Sequence, residues 1–168
     1  ARCREIGMDF MAITDHHRYY PSIDAQQAFA DVECDLAIYP GEEVHPPGNP
    51  VHMVNFGGSY SVNALFKDKE RYEAAVQSTL EVLDELPEGV NDFHYASTAW
   101  SLQKIKEGGG LAVFCHPYWV WNGRYPVDES LTSELLKRKP FDALELIGGF
   151  SKAEAESNAL QVARYHEE

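Results

Sequence analysis

Three apolar runs in this 168-residue chain are followed closely by an imidazole or a carboxylate. Residues 10–14 lead into Asp15-His16-His17, residues 36–39 lead through Pro40-Gly41 into Glu42-Glu43, and residues 111–115 lead into His116-Pro117. A fourth imidazole, His52, lies inside the alternating run 51–56. Imidazole nitrogen with carboxylate oxygen is a donor set for zinc, manganese or iron, and an acid beside an imidazole can also move protons. Structural zinc sites use closely spaced Cys and His pairs, which this sequence lacks. Scattered donors at strand ends suit a catalytic site that the fold assembles.

The positioning elements follow from periodicity and turn chemistry. Strands are expected at 10–14, 36–39, 51–56, 111–115 and 141–147, each bounded by Gly, Pro or charged residues. In the 51–56 strand, alternation puts His52 on one face with Val54 and Phe56. Helices are expected from Ser22 to about Cys34, from Asp68 to Leu86, from Ser97 to the glycines 108–110, and near 129–138. A last helix opens at Ser151 with Glu154 as a capping box. Residues 45–50, His-Pro-Pro-Gly-Asn-Pro, read as a stiff loop. The resulting order, strand–helix–strand–strand–helix–helix–strand–helix–strand–helix, predicts an α/β layout with a largely parallel sheet.

Composition narrows the partners. The 14 Lys and Arg against 27 Asp and Glu give a net charge of −13, which argues against binding a long nucleic acid. An anionic small molecule stays compatible, because bound cations supply their own positive field. No apolar run is long enough for a membrane span, and no leader is visible. Cys3, Cys34 and Cys115 are an odd set without Cys-x-x-Cys spacing, so reduced thiols in the cytoplasm are expected. The chain opens at Ala1 without Met and closes inside a helical pattern at Glu168, which suggests a segment cut at both ends.

Four motifs in order carry a family resemblance: Thr14-Asp15-His16, Gly41-Glu42-Glu43, the strand 52–57 from His52 to Gly57, and Cys115-His116-Pro117. Together they resemble successive motifs of the PHP (polymerase and histidinol phosphatase) superfamily of metal-dependent phosphoesterases. The segment from Arg4 to Phe10 also resembles the helix–strand entry to the second of its motifs, so the resemblance spans nearly the whole chain, as one PHP-like domain over 1–168. It implies a distorted (β/α)7 barrel holding two or three divalent metals (Zn, Mn or Fe) at the carboxyl ends of its strands. It further implies that His16, Glu43, His52 and His116 are metal ligands, with Glu43 bridging, and that Asp15 orients an imidazole. The opening His-x-His and closing Asp-x-His motifs of the family are absent from the chain, which therefore supplies only part of that ligand set.

The remaining candidates are weighed on their chemistry. Arg18, next to the Asp15-His16 motif, and Arg124 can each fork onto phosphate oxygens or form surface ion pairs. Tyr118, Trp119 and Trp121 can stack on a ring or roof the site by packing. His17 and His45 are substrate contacts or loop residues, His94 reads as a loop residue, and Glu42 reads as a solvated or supporting acid. The leading expectation is hydrolysis of a small phosphomonoester or a nucleotide by metal-activated water, with Asp15 and Arg18 assisting catalysis. The alternatives are a hydrolase of the same fold acting on a non-phosphate bond and a non-catalytic, metal-stabilised accessory module.

Overall fold

The computed structural model describes residues 2–32, 35–119, 126–148 and 152–167. Cys34, Trp121, Arg124, Tyr125 and the Ser151 cap lie outside the described residues, as does the side chain of Glu154. In chain order the elements are α1 (Arg2–Glu5), β1 (Phe10–Ala12), α2 (Tyr20–Ala28), β2 (Ala37–Tyr39), β3 (Gly41–Val44) and β4 (Met53–Phe56). They continue with α3 (Lys69–Val82), α4 (Asp92–Glu107), β5 (Leu111–Phe114), α5 (Glu129–Arg138), β6 (Ala143–Leu144) and α6 (Lys152–Glu167).

The strands form a parallel pair, β1 with β2, and a four-stranded sheet in the order β3-β4-β5-β6. In the larger sheet β3/β4 and β4/β5 are antiparallel, and β5/β6 is parallel. The fold is thus mixed α/β, and among the described residues its sheet is open. The expectation of a largely parallel sheet fails first at β3–β4. Residues 45–52 are too few for the crossover of about a dozen residues that a parallel return needs, so the chain reverses. The expected turn at Glu42-Glu43 is itself strand β3, buried along its whole length.

Several boundaries differ from the sequence pattern because a side chain is used elsewhere. Ser22 does not cap α2. It sits inside the helix, buried, where its Oγ donates to the Tyr19 carbonyl (2.6 Å) and accepts from the Gly41 amide (2.8 Å). Helix α4 starts at Asp92, capped by the Asn91 side chain on the His94 amide (2.9 Å), and Ser97 lies buried inside it. Asp68 caps α3 through the Arg71 amide. The core packs the β3–β4–β5 strands against α4 and α5: Val44, Met53, Leu102, Ile105, Phe114, Leu131 and Leu135 are all at most 1% exposed. Each such side chain contributes about 1.5–3 kcal/mol of burial. No helix is long and apolar enough to cross a membrane, among the described residues.

A parallel backbone bridge between His16 and Glu43 joins the chain after β1 to β3, and the Phe10 and Tyr39 rings pack on Phe56 of β4. The Glu43 amide donates to the Asp15 carbonyl (3.1 Å) and the His17 amide donates to the Glu43 carbonyl (3.0 Å). Gly41 permits this approach. A Cβ there would stand 3.0 Å from the Ile13 carbonyl and 3.1 Å from both the Ala12 Cβ and the Thr14 Cγ2. The predicted consequence is that Gly41→Val forces β1 and β3 apart, with a stability loss of about 1–3 kcal/mol in urea unfolding. Unfolding midpoints equal to those of the unchanged protein would contradict this packing role.

Candidate metal centre

Adjacent strand residues point to opposite faces, so Glu42 and Glu43 leave β3 in opposite directions. The same parity places Glu43 and His45 together. Antiparallel pairing of Glu43 with Val54 and of Val44 with Met53 then brings His45 opposite His52. Their rings lie 3.8 Å apart, centroid to centroid. Bridge pairing puts the His16 side chain on this face as well. His116 arrives from the end of β5, where the Cys115 amide donates to the His52 carbonyl (3.2 Å).

Four imidazoles therefore surround one carboxylate. Glu43 Oε1 lies 3.0 Å from His52 Nδ1, 3.1 Å from His45 Nε2 and 3.7 Å from His116 Nε2, and Glu43 Oε2 lies 3.6 Å from His16 Nε2. Burial alone would raise the Glu43 pKa. The close imidazoles of His45 and His52, with the electrostatic influence of His16 and His116, outweigh it and hold the carboxyl well below the usual range. Burial pushes the His45 imidazole down, partly offset by Glu43, which favours the neutral ring that binds metal.

The donor set fits a divalent cation on two observations. Glu43 Oε1 and His45 Nε2 are buried and, despite their proximity, neither has a hydrogen-bond partner. Unpaired buried polar atoms are costly, and a cation would satisfy both. The separations also match: Glu43 Oε1, His52 Nδ1 and His116 Nε2 are 3.0, 3.2 and 3.7 Å apart. Tetrahedral donors about 2.0–2.1 Å from zinc stand about 3.4 Å from one another. His16, Glu43 and His45 form a second, overlapping donor group.

Glu145 was not singled out by the sequence, because it lay within an expected strand. It follows the short β6, and its Oε2 accepts from His116 Nδ1 (2.7 Å) and from the His116 amide (2.9 Å). It thus aims Nε2 into the cluster and holds a backbone whose φ of 27° is unusual for a residue with a side chain. Gln161 of α6 fixes Glu145 in turn, through Nε2 to the carbonyls of Glu145 and Leu146. Cys115 adjoins the group, but burial and the negative charges of Glu145 and Glu43 push its thiol pKa well up. It remains a protonated donor to the Val113 carbonyl.

Behind the cluster Glu42 is wholly buried, not solvated. It accepts from Ser61 Oγ (2.7 Å), the Val62 amide (2.5 Å), Asn63 Nδ2 (2.8 Å) and Asn55 Nδ2 (3.3 Å). Asn63 in turn donates to the Glu43 carbonyl (2.9 Å) and accepts from the His45 amide (3.1 Å). One carboxylate thus fixes, through Asn63, the backbone that presents the other.

Of the expected site residues, His16, Glu43, His52 and His116 converge, and His45 joins them. Asp15 is exposed and lies outside these donor groups, and its backbone carbonyl accepts from the Glu43 amide. Arg18 is not in the cluster either. His17, in a left-handed conformation (φ 60°), turns the chain away from it. Arg18 instead lines a separate groove of about 360 Å³ with His17, Asp24, Asn63 and Lys67. The His17 ring packs on His45 at 4.1 Å, while His94 belongs to α4 and contacts the Gly48 carbonyl (3.0 Å).

No family model and no curated protein matches the chain. Among solved structures, it is similar to an amidohydrolase from Chromobacterium violaceum with bound sulfate and no metal. The identity is 19% and the TM-score 0.53, over 98% of this chain and 76% of that one. It is also similar to a "putative metal-dependent phosphoesterase" from Bifidobacterium adolescentis, at 17% identity and a TM-score of 0.54, with the same coverage of each chain. At these identities the likeness is one of fold.

Two substitutions separate the roles of the supporting acids. Glu145→Ala releases His116, and divalent-metal affinity in a chelator competition is expected to fall about 10–100-fold with the thermal midpoint little changed. Unchanged affinity would show that His116 is placed by other means. Glu42→Ala strands the buried donors of residues 61–63, at a cost on the order of 3 kcal/mol or more in unfolding free energy. A loss under 1 kcal/mol would mean that water or a shifted loop replaces the carboxylate.

Proposed function

We propose that this chain is a metal-dependent hydrolase of the PHP type, acting on a small phosphomonoester or a nucleotide. The observation that carries this reading is the buried Glu43 carboxylate facing four imidazoles with its Oε1 unpaired. A phosphoesterase among the structures of similar fold supports it, and so do the ordered motifs around His16, Glu43, His52 and His116. The open sheet is taken as part of a distorted (β/α)7 barrel.

Glu43, His52 and His116 would hold one divalent ion, and Glu43 with His16 and His45 a second. Zinc, manganese or iron suits this donor set. Such ions, when bound, polarise a phosphoryl oxygen and acidify a water. The chain's own residues supply the rest. Glu43 Oε1 faces His45, His52 and His116, while its Oε2 faces His16. Glu145 fixes the His116 tautomer with Nδ1 protonated, leaving Nε2 as the donor atom. His16, whose side chain is 69% exposed against 10% for Glu43, stands at the open side, where substrate enters.

A second reading, hydrolysis of an amide or another non-phosphate bond, is supported by the amidohydrolase of similar fold. The deciding experiment measures bound metal and aryl-phosphate turnover on the same samples of the full-length protein, beside Glu43→Gln and His116→Ala. Bound divalent metal is expected, with metal and turnover lost together in the variants by more than the about 10–100-fold typical of an outer partner. Metal loading without phosphate-ester turnover would favour the non-phosphate reading. Metal-free protein would overturn both.

A further inference from the structure

The imidazole cluster forms one wall of a cavity of about 440 Å³, within the size range of small-molecule sites. His16, His52 and His116 make its polar side, and Pro50, Trp119 and Val127 are among the apolar residues facing them. No Lys or Arg lines it among the described residues, and the nearby cations Arg18 and Lys67 open onto the other groove. A substrate that was all phosphate and hydroxyl would leave these apolar walls against water.

Packing and hydrogen bonds position the described walls. Pro50 follows Asn49, whose Nδ2 lies within hydrogen-bond distance of the His94 carbonyl (2.8 Å), Ser97 Oγ (2.7 Å) and Thr98 Oγ1 (2.9 Å), three acceptors for its two N–H donors, and whose Oδ1 accepts from the Val51 amide (2.9 Å). The Asn49 side-chain amide thus ties the segment before Pro50 to α4, and the Val51 bond closes the loop on itself. Val127 belongs to the main core and is 5% exposed. Trp119 is held at its backbone, where its amide donates to the His116 carbonyl (2.9 Å). Its ring lies 5.6 Å from that of His116 at 61°, half-buried, and borders the cavity. An apolar slot beside the reacting centre favours a flat apolar group over water.

We infer that this cavity is a subsite for a planar apolar ring, and that the substrate is an ester whose alcohol portion carries such a ring next to the scissile bond. The inference rests on the hydrolase reading above and names its substrate class. In the reaction, water supplies the new P–O bond, the bond to the alcohol oxygen breaks, and one proton of the water ends on that oxygen.

The test uses metal-loaded protein and two pairs of probes. Benzyl and n-propyl phosphate have alcohols of similar acidity, so their kcat/KM ratio isolates the ring. Benzylphosphonate and methylphosphonate report binding by calorimetry without turnover. The benzyl compound is expected to be favoured about 10-fold or more in both pairs. That preference should largely disappear in Trp119→Ala and largely persist in Trp119→Phe, which also guards against a folding defect. Equal affinity for the two phosphonates would overturn the subsite even if both esters were hydrolysed. Ring-dependent binding with neither ester hydrolysed would leave the subsite and overturn the phosphoesterase reading. Binding of neither phosphonate would overturn both.

Discussion

Two carboxylates stand side by side in β3, a strand buried along its whole length, and neither can be left to solvent. Pleating sends them to opposite faces, so the fold must satisfy each separately. On one face Glu42 is met by Ser61, Val62, Asn63 and Asn55, every one a neutral donor. On the other, Glu43 is met by imidazoles alone, and its Oε1 stays without an aligned hydrogen bond. The first arrangement is complete as it stands. The second is the electrostatic signature of a place for a cation.

The rest of the architecture serves this pair. β4 lies antiparallel to β3 and carries His52 back to the same face, while β5 runs beside β4 and ends at His116. The small β1–β2 sheet is joined to the larger one through the His16–Glu43 bridge, at the point that Gly41 leaves clear, and through Phe10 and Tyr39, whose rings contact Phe56. Asn63 couples the faces, because it hydrogen-bonds Glu42 while fixing the backbone of Glu43 and His45. A disturbance on the buried side would therefore reach the cluster without touching any imidazole.

Much of this was legible in the chain, for identifiable reasons. The His52 face followed from plain alternation, since Met53 and Asn55 are buried and Val54 and Phe56 only half so. His16, Glu43 and His116 stood out because a reactive side chain followed each apolar run. His45 was obscured by the prolines after it, which made 45–50 look like loop throughout. The available signal was its spacing of two from Glu43, which keeps it on the same face of a continuing strand. Glu145 carried no signal of its own, since its role exists only once β6 lies beside β5 and brings it to His116. Asp15 and Arg18 adjoin His16 in sequence, yet neither belongs to the donor groups around Glu43. A strand places neighbours on opposite faces, and a left-handed residue such as His17 redirects the chain at once. The sheet was expected to be parallel because helices separate β4 from β5, yet these two strands pair antiparallel.

The central claim is that Glu43 and its imidazoles bind a cation rather than pair with one another. Anomalous diffraction from crystals of the protein grown with zinc or manganese addresses it most directly. An anomalous peak is expected within about 2.0–2.2 Å of Glu43 Oε1, His52 Nδ1 and His116 Nε2. Crystals that bind metal elsewhere, or that show Glu43 hydrogen-bonded to protonated imidazoles with no peak between them, would contradict it.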